Sequence, residues 1–114
     1  NGRIHALQED GAPVAASWKQ NLVMADMLVI PKGAKNKEAA MKFLAHSSSA
    51  KGQADFSNLT AYAPVNLDSV ARLDSVLAEN LPTAHEADQI TLDYAYWAKN
   101  GAQIATRWNE WLVK

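Results

Sequence analysis

The spacing of apolar residues changes at Pro31, and this change constrains the fold more than any other feature of the sequence. Upstream of it, short β-like runs alternate with turns, and residues 3–8 alternate polar with apolar side chains as a half-buried strand does. Pro31 then ends a short apolar run. Strands are therefore predicted at residues 3–8, 14–18 and 27–30, so that residues 1–31 are mainly strands and residues 36–114 mainly helices, an α/β arrangement.

Residues that favour helix starts recur downstream of Gly33. Asn36 is a favourable N-cap before residues at helical spacing, namely Ala39, Ala40, Phe43 and Leu44. Ser49 caps a second predicted helix, and Asn66 caps a brief one over residues 67–73. One or two further helical turns are predicted within residues 74–80.

The last helix is the clearest element in the sequence. Asp93 is its predicted N-cap. One stripe of its surface carries large apolar side chains at helical spacing: Tyr94, Trp97, Ile104, Trp108 and Trp111. Because aromatic side chains bury large areas, this helix is predicted to pack across the body of the protein.

Composition excludes several classes of function. The chain has 114 residues, enough for one small domain, and 48% of them are hydrophobic. A net charge of −1 argues against nucleic acid as a partner, since phosphate binding requires an excess of Lys and Arg. No cysteine is present for disulfides, and no apolar run approaches the length of a membrane span. The chain also lacks an initiator Met and a signal peptide, as expected of a processed or cut piece.

Catalytic and metal-binding motifs are absent from the sequence. It contains neither a Gly-x-Ser-x-Gly elbow nor a phosphate-binding loop. The three histidines, His5, His46 and His85, are widely spread and favour no metal site. The chain is therefore predicted not to be an enzyme and to need no cofactor. A hydrolase would require one of these histidines within hydrogen-bond reach of Asp26.

Asp26 is the one charged residue in an unusual place, because it interrupts the apolar run of residues 22–30. A carboxylate there must face water, cap a turn or meet a cation. One interpretation is a strand-entry residue that accepts hydrogen bonds from backbone N–H groups. The other is an anion that pairs with an ammonium group of a ligand.

Four segments, in order along the chain, resemble solute-binding proteins of bacterial ABC transporters of the spermidine/putrescine type: residues 11–14, 26–40, 62–66, and 96–98 followed by 108–112. The resemblance implies two α/β lobes with a ligand between them, in the periplasm or outside the bacterial cell. Residues 1–114 resemble a single carboxy-terminal fragment, which holds part of the second lobe of this periplasmic-binding-protein fold.

The resemblance also implies ligand contacts. In relatives that bind polyamines, a Trp-x-Asp motif contacts the ligand. Its Asp falls on Asp26, while Met24 stands in place of the Trp, which removes a cation–π contact. Tyr94 and Tyr96 are further expected contacts. The implied ligand is a cationic amine, polyamine or smaller, and the implied partners are the permease subunits in the membrane.

Two other expectations accompany this function. Apolar surface that another lobe would cover favours self-association of the chain. The alternative function is a stand-alone interaction module that docks a partner protein through its aromatic carboxy-terminal helix.

Overall fold

The computed structural model describes residues 1–114. It contains five α-helices and two short strands: α1 (Gly2–Glu9), β1 (Asn21–Val23), α2 (Lys37–Ser47), α3 (Ala50–Thr60), α4 (Ser75–Glu79), β2 (Gln89–Thr91) and α5 (Tyr94–Leu112). Three short 3-10 helices cover Leu67–Arg72, Pro82–Ala84 and Glu86–Asp88.

The predicted helix starts are confirmed, and three of them by side-chain caps. Ser49 Oγ accepts a hydrogen bond from the Gly52 N–H at 3.0 Å and so caps α3. Asn66 Oδ1 accepts one from Asp68 N–H at 3.0 Å, at the start of the first 3-10 helix. Asp93 Oδ1 accepts one from Tyr96 N–H at 2.9 Å and caps α5. Asn36 directly precedes α2, although its side chain caps no N–H group.

The strand predicted at residues 3–8 is wrong, because this segment lies in α1. Its alternation of polar and apolar residues is short enough to fit a helix as well, since Ile4 and Leu7 lie three residues apart on one helical face. Arg, Ala, Leu and Gln make up most of the segment, and all of them are good helix formers. In this segment, the helix propensity of the residues outweighs the two-residue alternation of polar and apolar side chains.

The strands predicted at residues 14–18 and 27–30 are also absent, and the only strand upstream of Pro31 is β1. Residues 1–31 are therefore not mainly strands. The run at 27–30 has no ladder partner, and its Met27, Leu28 and Val29 side chains are exposed. A β-strand needs a neighbour, and here the pairing falls on residues 21–23 instead.

β1 pairs with β2 in parallel, with Asn21 opposite Gln89 and Val23 opposite Thr91. Sequence reasoning did not predict β2, whose three residues include a single aliphatic side chain, Ile90. Because the pairing is parallel, both strands end at the same edge of this small sheet. That edge positions the site described below.

The buried core is small and lies between α3, the segment that follows it and α4. Leu81, Leu77 and Ala61 form its centre, and Ala63 and Leu73 pack against it. The Cα radius of gyration is 17.4 Å, against roughly 13 Å for a compact domain of about 100 residues. The chain is thus expanded, and most of its large apolar side chains are exposed.

The aromatic stripe of α5 is not covered by the rest of the chain, contrary to the predicted packing across the body. Trp108 and Trp111 are 56% and 60% exposed and pack mainly on each other, with ring centroids 5.1 Å apart. The face is amphipathic as predicted, but no other helix or strand packs extensively against it. Self-association and docking through this helix stay predictions.

The buried hydroxyl group of Ser57 leads to a stability prediction. Ser57 on α3 is 1% exposed, and its Oγ has no hydrogen-bond partner. An unpaired buried hydroxyl is costly, and alanine is the better helix former, so Ser57→Ala is expected to stabilise the fold by about 0.5–1.5 kcal/mol. Urea unfolding measures the change. Ser49→Ala is the matched control, because it removes a cap and should cost about 1 kcal/mol. A loss of stability in both variants would contradict the prediction.

Candidate functional site

The carboxyl ends of β1 and β2 bring the predicted site together. Met24, Ala25 and Asp26 directly follow β1, and Asp93 follows β2 by two positions. Leu92 N–H donates to the Val23 carbonyl at 3.0 Å, which keeps the two exits side by side. In open α/β sheets, ligands bind outside the carboxyl ends of the strands. The position of Asp26 therefore matches the place where such a fold binds a ligand.

Tyr94, the first residue of α5, is joined to this exit. Its Oη accepts a hydrogen bond from Ala25 N–H at 2.7 Å. The bond spans 69 positions of sequence and fixes the backbone immediately before Asp26. The hydroxyl of Tyr94 thus holds the loop before Asp26 in place.

A cleft of about 440 Å³ opens beside the end of β1. This volume lies in the range of small-molecule sites. Twelve residues line it, and they come from α1, the turn before β1, β1 and its exit, and two later positions: Asn1, Ile4, Ala16, Ser17, Trp18, Asn21, Leu22, Val23, Met24, Asp26, Tyr62 and Pro82. Asp26 carries the only charged side chain among them. The cleft is therefore mixed apolar and polar, with one anion.

The Asp26 carboxylate is exposed and makes no ion pair. The one ion pair of the structure is Lys51–Asp55, at 2.6 Å on the surface of α3. Asp93, the other carboxylate at the strand exits, is occupied as the cap of α5. Of these two acids, Asp26 is the one whose oxygens remain free for a ligand.

The four predicted contact residues do not all meet. Met24 lines the cleft and is 63% exposed, so it presents a soft apolar surface where relatives carry an aromatic one. Neither Tyr94 nor Tyr96 lines the cleft, and the Tyr96 ring packs edge-on against Trp97 at 6.2 Å. Their contacts with a ligand stay predictions. Two positions along a helix turn a side chain by about 200°, so Tyr94 and Tyr96 face different ways.

Sequence reasoning missed an aromatic pair beside Asp26. Trp18 lines the cleft and stacks on His85, with ring centroids 4.7 Å apart and an angle of 8° between the planes. The two residues are far apart in sequence, and no local pattern links them. The structure places Trp18 just before a turn in which Gln20 adopts a φ of 58°.

The structure contains no group of three or more His, Cys, Asp or Glu side chains placed to hold a metal ion. No helix is both long enough and apolar enough to cross a membrane.

Comparison with known families gives a match over most of the chain. The profile described as bacterial extracellular solute-binding protein matches residues 1–86. The chain belongs to this family. Membership agrees with the predicted solute-binding protein, with its extracellular location and with the prediction that it is not an enzyme.

Two relatives of this solute-binding chain narrow the comparison. It is 33% identical, over 116 aligned positions, to the gamma-aminobutyric acid-binding protein of Pseudomonas aeruginosa, covering all of this chain and 33% of the relative. It is 46% identical to the solved structure titled Atu4243-GABA receptor, with a TM-score of 0.81 over 96% of this chain and 34% of that one. The chain spans about one third of the length of these relatives.

The solved relative confirms the predicted α/β solute-binding fold. The spermidine/putrescine type is not what these two relatives are named for, since both names give gamma-aminobutyric acid. The family is confirmed at the level of extracellular solute binding.

The hydroxyl of Tyr94 gives a prediction about this site. Tyr94→Phe removes the acceptor of the Ala25 N–H, a bond worth about 0.5–1.5 kcal/mol. Amide exchange at Ala25 should speed up about two- to tenfold, which NMR exchange measurements resolve. Tyr96→Phe is the matched control, because the Tyr96 hydroxyl makes no hydrogen bond in the structure. Equal exchange at Ala25 in both variants would mean that the bond does not hold the loop.

Proposed function

We propose that residues 1–114 supply part of the ligand cleft of a solute-binding protein that captures a small primary amine of the γ-aminobutyrate class for import by an ABC transporter. The observation that carries the proposal is the position of Asp26. It is the single charged side chain of a cleft at the carboxyl end of β1, and it has no partner in the protein.

A single carboxylate suits a ligand with a single ammonium group. An ion-paired hydrogen bond from the ammonium to Asp26 is worth about 1.5–3 kcal/mol. A polyamine carries two or more ammonium groups, and residues 1–114, about one third of the length of the relatives, offer the cleft one anionic side chain. The proposal therefore assigns Asp26 a single ammonium group. The names of the two relatives support the same choice.

A γ-amino acid also carries a carboxylate, which requires a cation. Two basic residues neighbour cleft-lining positions in the chain: Arg3 precedes Ile4, and Lys19 follows Trp18. Neither lines the cleft itself, and we propose that one of them reaches the carboxylate of the ligand; arginine alone offers a planar two-pronged donor that matches a carboxylate. Arg3→Gln and Lys19→Gln distinguish them, because only the loss of the true partner removes the preference for γ-aminobutyrate over butylamine.

The role in transport rests on the two-lobe arrangement. A ligand enters, the lobes close over it, and the permease subunits in the membrane engage the closed form. The 114 residues contribute one lobe wall, so their share of the binding free energy is small. Asp26 and one aromatic contact together give about 2–5 kcal/mol, which corresponds to a dissociation constant of roughly 0.2–30 mM.

A ligand series tests the proposal on the 114-residue chain. Ligand-observed NMR compares γ-aminobutyrate, butyrate and putrescine. We expect millimolar binding of γ-aminobutyrate and at least about tenfold weaker binding of butyrate, which lacks the ammonium group. Putrescine, with two equivalent ammonium groups, should gain no more than about twofold on statistical grounds. Tenfold tighter binding of putrescine would favour a polyamine as the ligand. A low-micromolar dissociation constant for any of the three would contradict the expectation that residues 1–114 supply only a small share of the binding free energy.

A further inference from the structure

Trp18 is held in the wall of the cleft by hydrogen bonds to its backbone and by a stacking contact with its ring. Its carbonyl accepts hydrogen bonds from the backbone N–H of Asn21 at 3.2 Å and from the Asn21 side chain at 2.6 Å, which closes the turn into β1. The indole ring lies parallel to the ring of His85 at 4.7 Å. Both the backbone and the ring of Trp18 are therefore fixed before a ligand arrives.

His85 acts as a brace for this ring. Its Nε2 lies 2.9 Å from the Glu79 carbonyl oxygen, at the end of α4, so the imidazole is itself anchored. His85 covers one face of the indole and does not line the cleft, whereas Trp18 does. The surface that Trp18 offers to the cleft is therefore the part of the ring that His85 leaves free.

We propose that Trp18, braced by His85, is the residue that makes this cleft selective for an ammonium-bearing ligand; the inference rests on the proposed function. An ammonium ion within about 6 Å of an indole face is attracted by the ring quadrupole, and indole is the strongest of the aromatic side chains in this respect. Trp18 and Asp26 line the same cleft, so one ammonium group is able to meet both. The aromatic contact that Met24 lacks is supplied from a different position.

Preorganisation gives the brace its effect. A free surface indole loses rotamer freedom when it closes on a ligand, and this loss lowers the affinity. Stacking between Trp18 and His85 removes that cost in advance. His85→Leu should therefore weaken binding without removing a ligand contact, and by less than the loss of Trp18 itself.

The test uses the indole N–H signals of the ¹⁵N-labelled chain, which has four tryptophans. Trp18→Phe assigns the signal of residue 18 by its disappearance. γ-Aminobutyrate is then added to roughly 20 mM, above the millimolar range expected for this chain. The Trp18 signal should shift progressively with γ-aminobutyrate and butylamine but not with butyrate, and the other three indole signals should stay in place.

Variants separate this inference from the proposed function. Trp18→Leu should raise the dissociation constant by about two- to thirtyfold, and Trp18→Phe by less. Trp108→Leu, an exposed tryptophan outside the cleft, is the control and should change nothing. If Asp26→Asn weakens binding while the Trp18 signal stays in place, the inference is wrong and the proposed function stands. If no amine shifts any signal of the cleft, both are wrong. The wild-type titration gives this answer even where Trp18→Leu fails to fold.

Discussion

Asp26→Asn is expected to raise the dissociation constant for γ-aminobutyrate by about ten- to a hundredfold. The substitution keeps the shape of the side chain and removes its charge. An ion-paired hydrogen bond worth about 1.5–3 kcal/mol is lost, and each 1.4 kcal/mol is a factor of ten. Affinity for butyrate should not fall, because that ligand brings no ammonium group to Asp26. NMR titration of both variants with both ligands measures the difference.

The fold should tolerate this change. Asp26 is exposed and forms no ion pair, so the free energy of unfolding is expected to stay within about 0.5 kcal/mol of the wild type. Asp93→Asn is the matched control: it lies at the exit of the other strand, and asparagine caps a helix as well as aspartate does. Equal weakening of γ-aminobutyrate binding in the two variants would mean that the ligand responds to the overall negative charge at the strand exits. Asp26 would then not be a specific ligand contact.

Gly52→Ala is expected to destabilise the protein by about 1–3 kcal/mol, although alanine is the better helix former. Gly52 lies in the first turn of α3, where the chain turns sharply from α2. A Cβ at this position overlaps the His46 carbonyl oxygen and comes within 3.1 Å of Ser49 Oγ. That carbonyl also accepts the Ser49 N–H and hydroxyl, so it cannot move away without breaking the corner.

Gly101→Ala in α5 is the matched substitution with the opposite expected sign. Its Cβ meets only the Trp97 ring, at an ordinary contact distance of 3.8 Å. The helix should gain about 0.8–1 kcal/mol of local stability. Urea unfolding and helix content by circular dichroism measure both variants. Stabilisation by Gly52→Ala as well would show that the corner between α2 and α3 is looser than the structure has it.

Helices were predictable because their signals are local. Ser49, Asn66 and Asp93 each bond an N–H group two or three residues further on, and such a cap is visible in a short window of sequence. The stripe of α5 was predictable for the same reason. What covers the stripe was not, because amphipathicity shows that a face is suited to burial and does not name its partner.

Strands were poorly predicted because pairing is a long-range event. β1 and β2 lie far apart in sequence, and neither three-residue segment is distinctive by itself. The more apolar run at residues 27–30 looked like the better strand and yet has no partner. Hydrophobicity indicates where a strand is possible, while the ladder is decided by which segments meet.

The candidate site likewise combines residues that were predictable from local sequence with contacts that were not. Asp26 was singled out by its place in an apolar run, and the family resemblance pointed to Met24, Tyr94 and Tyr96. The role of Tyr94 as acceptor for Ala25 and the stack of Trp18 on His85 both depend on tertiary structure. Only contacts between segments distant in sequence reveal them.

The most direct test of the proposed cleft is a map of backbone amide shifts in the ¹⁵N-labelled chain during titration with γ-aminobutyrate. Shifts should concentrate in the two segments that line the cleft, around residues 16–18 and 21–26, with weaker shifts from butyrate at the same concentration. Shifts confined to the α2–α3 corner or to the 3-10 segments, or no shifts at all at millimolar ligand, would contradict it.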